Sequence, residues 1–259
     1  MDEQRGTLLI SKSPAKDYDE IASEYTFFEQ HATTAQEDVR AYQAHLATVK
    51  PVDGIVNMLD FGCGSGTFTA QFLEHTGWPP ECLRLTLVDP AESVRRKAVA
   101  RLARFTTSPV VESSALPLAL DGRFDIVLAN HVFYHVPDLE KTMRQLIAAL
   151  TPTGVFLTAI SARMNELRNW PLGRETPYNT SEDIKAALHA VNANYETYQV
   201  PYELSFPDSV ENRTRIIRFI LADHLAQLPQ QPFLEWFDQF SHAGQIKIHF
   251  ENDHYVLRR

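Results

Sequence analysis

Two carboxylates and a run of glycines carry the clearest chemistry in this chain. Asp60 ends an apolar run, Ile55 to Asp60, that leads straight into Gly62-Cys63-Gly64-Ser65-Gly66. Glycine lets the backbone come close to a ligand where a Cβ would collide with it. Asp89 ends a second apolar run, Leu83 to Asp89. A carboxylate so placed can accept from both hydroxyls of a ribose. Together these features fit a nucleotide-type cofactor, and the spacing narrows the choice. The dinucleotide fingerprint G-x-G-x-x-G needs a glycine at position 67, which is Thr67; the third glycine is Gly66. A G-x-x-x-x-G-K-[ST] phosphate loop is absent.

Proton-handling residues are fewer. His131 follows the apolar run Phe124 to Asn130, and ligands of open α/β sheets bind beyond the carboxyl ends of the strands. Glu24 lies in an aromatic lead segment, Tyr18 to His31, that core periodicity does not explain. His131 and Glu24 are therefore the catalytic candidates. His135 reads as a packed core histidine and Asp125 as structural. Cys63 and Cys82 indicate neither a disulfide framework nor a zinc site, and no metal is expected.

The elements that must hold these residues alternate regularly. Thr34 with Glu37 reads as a capping box, and Val39, Tyr42, Leu46 and Val49 follow at helical spacing until Pro51 and Gly54. Strands at 55–60, 83–89, 109–112, 124–130 and 155–160 are separated by helical periods, which argues for a parallel sheet covered on both faces. Past residue 160 the rhythm changes. Ser181 caps a helix, Tyr195 to Phe206 suits a strand, and a helical stretch runs from Val210 to Leu228. A short aromatic helix holds Phe233, Trp236, Phe237 and Phe240. The end reads as a hairpin with its turn at Asn252-Asp253. The divisions expected are a lid segment and helix (1–50), a cofactor-binding core (51–160), and C-terminal strands with a helical insertion (161–259, the insertion at 207–244).

Composition excludes several partners. A 259-residue chain with 44% apolar residues can bury a conventional core. Its net charge of −9, without a basic run, speaks against nucleic acid, where phosphate neutralisation dominates affinity. There is no apolar stretch of the roughly 18 residues that span a membrane, and Met1 to Ile10 does not read as a signal peptide. A cytoplasmic protein without a membrane partner is expected.

Leu59-Asp60-Phe61-Gly62-Cys63-Gly64-Ser65-Gly66 resembles motif I of the class I S-adenosylmethionine-dependent methyltransferases. Leu87-Val88-Asp89-Pro90 resembles motif II, and Glu112-Ser113-Ser114-Ala115-Leu116-Pro117 resembles the D-A-x-x-L-P stretch beside the adenine, with Glu and Ser replacing Asp and Ala. Phe124-Asp125-Ile126-Val127, His135-Val136-Pro137-Asp138 and Leu150-Thr151-Pro152-Thr153-Gly154 continue the family order. The resemblance implies an α/β fold: a Rossmann-like, mainly parallel seven-stranded sheet with helices on both faces, an N-terminal helical lid and a helical insertion before the last strand. It implies S-adenosylmethionine as cofactor, held by Tyr25, Asp60, Gly62, Gly64, Asp89, Pro90, Glu112, Ser113 and Asn130.

The whole-chain layout is similar to that of small-amine methyltransferases of the histamine N-methyltransferase type. That similarity makes Glu24 and Asn252 substrate candidates; Tyr18 and Phe28 join them because the aromatic lead segment can wall an apolar pocket, and a small molecule methylated on N or O is the expected acceptor. Trp236, Phe237 and Phe240 read first as helix packing. The alternatives are a methyltransferase acting on RNA or protein, a nicotinamide oxidoreductase, opposed by Thr67, and an inactive methyltransferase-like binding protein. An N-P-P-[YFW] tetrapeptide, the mark of nucleobase amino-methylating enzymes, is absent.

Overall fold

A computed structural model of the chain describes residues 20–46, 49, 54–116, 122–162, 178–221 and 228–259. Tyr18 and Pro117, and positions 222–227 of the helix expected to reach Leu228, lie outside these residues.

Two helices come first, α1 (Ala22–His31) and α2 (Thr34–Leu46). The alternating part follows as β1 (Val56–Phe61), α3 (Thr67–Glu74), β2 (Leu83–Val88), α4 (Glu92–Leu102), β3 (Val111–Ser113), β4 (Phe124–Asn130), α5 (Leu139–Ala148) and β5 (Leu150–Ser161). Then come α6 (Ser181–Ala190), β6 (Tyr195–Pro207), α7 (Val210–Leu221), α8 (Gln230–Trp236), the two-residue β7 (Ser241–His242) and β8 (Gln245–Arg258). The strands form one sheet in the order β3-β2-β1-β4-β5-β8-β6, with β7 pairing β8 alone. β1 to β5 pair in parallel, whereas β8 runs antiparallel to β5 and β6.

Strand alternation feeds two cores, one on each face. Met58, Ile126 and Leu128 pack with Tyr42, Phe72, Ala98 and Leu102 on one side. Leu59, Val127 and Phe156 pack with Met143, Leu146, Ile184 and Leu188 on the other. β4 is buried along nearly its whole length, as its unbroken apolar run requires.

The end of the chain departs from the expected hairpin. β8 is a single strand running through Asn252 and Asp253. Residues 245–251 alternate exposed and buried, because only one face of that half is covered; from Asn252 onward the strand lies between β5 and β6 and is buried on both faces. The polar pair is there because each side chain has a polar partner. Asn252 donates to Asp38, and Asp253 accepts from Ser181 on the opposite face. The tight turn lies upstream, at Ala243-Gly244, with φ of +49° and +78°.

Two expected caps also shift. Thr34 is the first helical residue of α2, and its hydroxyl accepts from Asn252 at 2.8 Å, so it does not close a capping box with Glu37. Thr180, not Ser181, caps α6, in a box with Asp183. Ser181 is drawn inward because it hydrogen-bonds Asp253 and Tyr255.

β5 reaches only as far as Ser161, opposite Asn252. Residues 201–207 of β6 and 245–251 of β8 pair further, as a two-stranded ribbon projecting past the carboxyl end of β5. α7 and α8 pack on this ribbon through a third apolar cluster that includes Phe206, Ile216, Phe233, Trp236, Phe237 and Ile248. Trp236 and Phe237 are therefore core residues. The α1–α2 junction is stitched to the same ribbon by an Ala32–Leu204 bridge, and Glu203 and Thr33 exchange two hydrogen bonds of 2.9 Å.

Candidate cofactor and acceptor site

The order 3-2-1-4-5 places a topological switch point between β1 and β4, and in open α/β sheets the ligand crevice lies outside the carboxyl ends of the strands at such a point. The glycine loop fills one side of it. A Cβ on Gly62 would lie 2.2 Å from Cγ2 of Val132, and one on Gly66 would lie 3.0 Å from Cα of Ala98. These two glycines exist for close packing, on the β4 turn and on α4. Gly64, with φ of +49°, has no described residue within 4 Å of where its Cβ would be.

Asp89 organises this loop as well as standing where a ribose acid should. One carboxylate oxygen accepts from the Gly64 amide and the other from the Ala91 amide, each at 2.9 Å. Among the described residues each oxygen keeps a lone pair. Pro90 lies exposed between the two contacts. On β3, Glu112 accepts from Nε of Arg95 at 2.9 Å, while Arg95 donates to the Asp89 carbonyl at 2.6 Å. The Ser113 hydroxyl donates to the Ala115 carbonyl at 2.6 Å.

Asp60 is only 3% exposed, and among the described residues its carboxylate has one hydrogen-bond partner, the Thr69 hydroxyl. Burial, assisted by the neighbouring charge of Asp89, pushes its pKa up to about 7, against the pull of Thr69. A buried carboxylate with lone pairs to spare, beside a second carboxylate and an opening, suits a ligand carrying positive charge.

The other side of the crevice is a polar cluster centred on Asp38, which the sequence did not single out. Asp38 is fully buried on α2. Its Oδ1 accepts from Asn252 at 2.9 Å and pairs with Nε2 of His254 at 2.7 Å. Its Oδ2 accepts from Asn130 at 3.2 Å and pairs with Nε2 of His131 at 3.0 Å. Burial opposes charge here, but the two histidines outweigh it and hold Asp38 well below the usual carboxylate range. His131 has a left-handed backbone, φ +54°, uncommon outside glycine and often found at functional turns. Its Nδ1 lies 3.0 Å from the Tyr134 hydroxyl, which also accepts from the Ser161 amide at 2.8 Å. The spacing Thr34, Asp38, Tyr42 was the available signal: one helix face carrying an acid in line with a buried aromatic.

His131, Asn130 and Asn252 thus come together. Asn130 accepts from the Tyr42 hydroxyl at 2.8 Å, so its side chain belongs to this cluster. Glu24 lies elsewhere. It is buried on α1, accepts from Ser23 at 2.7 Å and meets Arg218 of α7 at 3.4 Å. The Ser23 hydrogen bond, and more weakly Arg218 and Arg215, lower its pKa against burial. Among the described residues, Glu24 and Asn252 have no common hydrogen-bond partner. Phe28 stacks on Phe219 of α7 at 4.4 Å, and Tyr25 tilts against the same ring at 5.8 Å. Asp125 is structural, accepting from the Asn57 amide at 2.9 Å and from Thr151 at 3.2 Å. His135 packs edge-on against Tyr178 at 4.9 Å.

Comparison with known proteins agrees with this architecture. Residues 20–198 match the family described as a methyltransferase domain. A trans-aconitate 2-methyltransferase of Rhodopseudomonas palustris is 31% identical over 145 residues, 56% of this chain and 51% of the relative. A ubiquinone biosynthesis O-methyltransferase of Paramagnetospirillum magneticum is 33% identical over 127 residues, 46% of this chain and 47% of the relative. The chain thus spans about half the length of these curated relatives. A SAM dependent methyltransferase from Aquifex aeolicus superposes with a TM-score of 0.51 at 14% identity, covering 68% of this chain and 92% of that one, which shows a shared fold. Motif order, sheet topology and the family match lead to one conclusion: the chain belongs to the methyltransferase domain family, among the class I S-adenosylmethionine-dependent methyltransferases.

Proposed function

We propose that this protein transfers a methyl group from S-adenosylmethionine to an N or O atom of a small molecule. The observation that carries the reading is what flanks the switch point: an under-satisfied buried Asp60 and the space at Gly64 on one side, the Asp38–His131 cluster on the other. Bound there, S-adenosylmethionine supplies an activated methyl group on a sulfonium. Asp60 would hold the cofactor amine, and the free lone pairs of Asp89 its ribose hydroxyls. Gly64 leaves room for the ligand, while Tyr25 on α1 lies on the lid side.

The ribbon and α7 overhang the carboxyl edge of the sheet, where they can enclose a small acceptor and exclude water. Alignment of this kind contributes up to about 7–11 kcal/mol to methyl transfer. The names of the relatives, trans-aconitate and ubiquinone biosynthesis methyltransferases, support an acceptor of this size. Among the described residues no helix is long and apolar enough to cross a membrane.

Calorimetry and thermal shift with S-adenosylhomocysteine, beside NAD, test the cofactor. The first should bind and raise Tm, by roughly 2.7 kcal/mol of stability at about 100 times its Kd. A folded protein that ignores it at millimolar concentration overturns the reading. A panel of small acceptors, followed by S-adenosylhomocysteine release, then tests the substrate class.

A further inference from the structure

Resting on the methyl-transfer reading, we infer that Tyr134, His131 and Asp38 form a proton relay whose outer end, the Tyr134 hydroxyl, takes the proton of an acceptor hydroxyl or amine.

The geometry is continuous. Asp38 Oδ2 and His131 Nε2 are 3.0 Å apart, and His131 Nδ1 and the Tyr134 oxygen are 3.0 Å apart. The Asp38 carboxylate cannot donate, so neutral His131 carries its proton on Nε2 and turns the bare Nδ1 toward Tyr134. The Tyr134 hydroxyl then donates to Nδ1, while its oxygen accepts from the Ser161 amide and keeps one lone pair. The planes of the two rings are within 8° of parallel, with centroids 6.1 Å apart. Asp38 is held in turn by Asn252, Asn130 and His254, so the inner end is fixed. The relay also abuts the cofactor side: Val132, between His131 and the rest of the turn, is the residue on which Gly62 packs, and Phe133 meets Phe61 at 6.0 Å.

The step balances. The acceptor's lone pair bonds to the methyl carbon as the carbon–sulfur bond breaks, and that bond's electrons stay on sulfur. The acceptor's proton passes to the Tyr134 oxygen, and the phenol proton passes to Nδ1 of His131. The imidazolium formed is paired with Asp38 and returns its proton to solvent, since the His131 side chain remains 25% exposed. Carboxylate acceptors are already ionised and have no use for such a path, so the relay marks a protic acceptor.

The groups facing His131 are Asp38 and Thr34 from α2, Tyr134 from its own turn, and Asn252 from β8, with His254 sharing Asp38. Burial works against the imidazolium, but negative charge on the Tyr134 oxygen, as in the tautomer with the phenol proton on Nδ1, and the Asp38 carboxylate outweigh it and raise His131 to about 10. Neutral His131, the working form, therefore grows with pH through the alkaline range.

The test pairs kinetics with binding. Phenol, aliphatic hydroxyl, amine and carboxylate acceptors are supplied with S-adenosylmethionine across the neutral and alkaline range. Wild-type turnover of a protic acceptor should rise with pH. Tyr134→Phe and His131→Gln should each lower kcat by about 100-fold or more while S-adenosylhomocysteine affinity stays at the wild-type value. Asp38→Asn should move the rising limb toward neutral pH. Histidine nitrogen NMR needs no acceptor: His131 should titrate well above the ordinary range and fall back in Asp38→Asn. Full activity in Tyr134→Phe, turnover confined to carboxylates, or a neutral His131 that carries its proton on Nδ1 each overturns the relay alone. Wild-type protein that does not bind S-adenosylhomocysteine overturns the methyl-transfer reading, and the relay with it.

Discussion

Asp38 and His254 meet at 2.7 Å across 216 residues of sequence, both fully buried. This contact clamps α2, near the start of the chain, to β8 at its end, over the carboxyl edge where β4 and β5 stop. The same carboxylate holds Asn252, Asn130 and His131, so one side chain joins three elements of the site.

The cluster gives stability a pH dependence of definite sign. Asp38 is depressed from 3.8, so its contribution is full above that value and is lost as pH falls through its lower native pKa. His131 is raised from 6.5 to about 10, so its contribution is full below 6.5 and is lost as pH rises through about 10. Urea midpoints should therefore fall on the alkaline side of neutrality, and Asp38→Asn should flatten that fall. A midpoint unchanged over that window in the wild type contradicts the ion pair.

Asp60 predicts proton release on cofactor binding. Its native pKa of about 7 lies above the ordinary 3.8, so much of it is protonated in the free protein below neutrality. A bound cationic amine favours the carboxylate. Affinity for S-adenosylhomocysteine should rise with pH to about 7 and then level off, and calorimetry in buffers of different ionisation enthalpy should detect the released proton. Asp60→Asn should abolish that buffer dependence.

Gly62 and Gly64 should fail differently. Gly62→Ala forces a Cβ to within 2.2 Å of Val132, so overpacking of about 1–3 kcal/mol adds to the left-handed backbone cost of about 1–2 kcal/mol. Gly64→Ala meets nothing and should lose only the second amount, yet weaken S-adenosylhomocysteine binding. Denaturation and ligand titration of the two variants separate packing from ligand space.

Asp89→Ala removes the acceptor for two backbone amides as well as the proposed ligand contact. Hydrogen bonds to charged groups contribute about 1.5–3 kcal/mol each, so Tm and cofactor affinity should drop together. A variant with reduced affinity and unchanged Tm would deny the anchoring of the loop.

The half proposed to hold the cofactor was legible because its signals are local. β4 was read with its observed ends, and the glycine loop and Asp89 announce themselves by spacing. The half proposed to meet the acceptor was not, because its residues converge from α2, β4, β5 and β8, and only pairing in space makes Asp38 more than a helix acid. Asn252-Asp253 shows the difficulty directly. Two turn-forming residues between apolar alternations signal a bend, yet here each has a polar partner on opposite faces of a buried strand, and that outweighs turn propensity. Glu24 was singled out for standing among aromatics, and its partner, Arg218, lies 194 residues away.

The ribbon has a consequence for how such a protein can be altered. The family match ends at residue 198, just before Pro201, where β6 and β8 leave the sheet as a pair. Everything between those stems, α7, α8 and the short β7, returns to the point where it departed. Such a segment is a cassette with two adjacent graft points. On the proposed function, exchanging it should vary which acceptor is admitted while the half proposed to hold the methyl donor keeps its strand order, its glycine loop and both of its carboxylates.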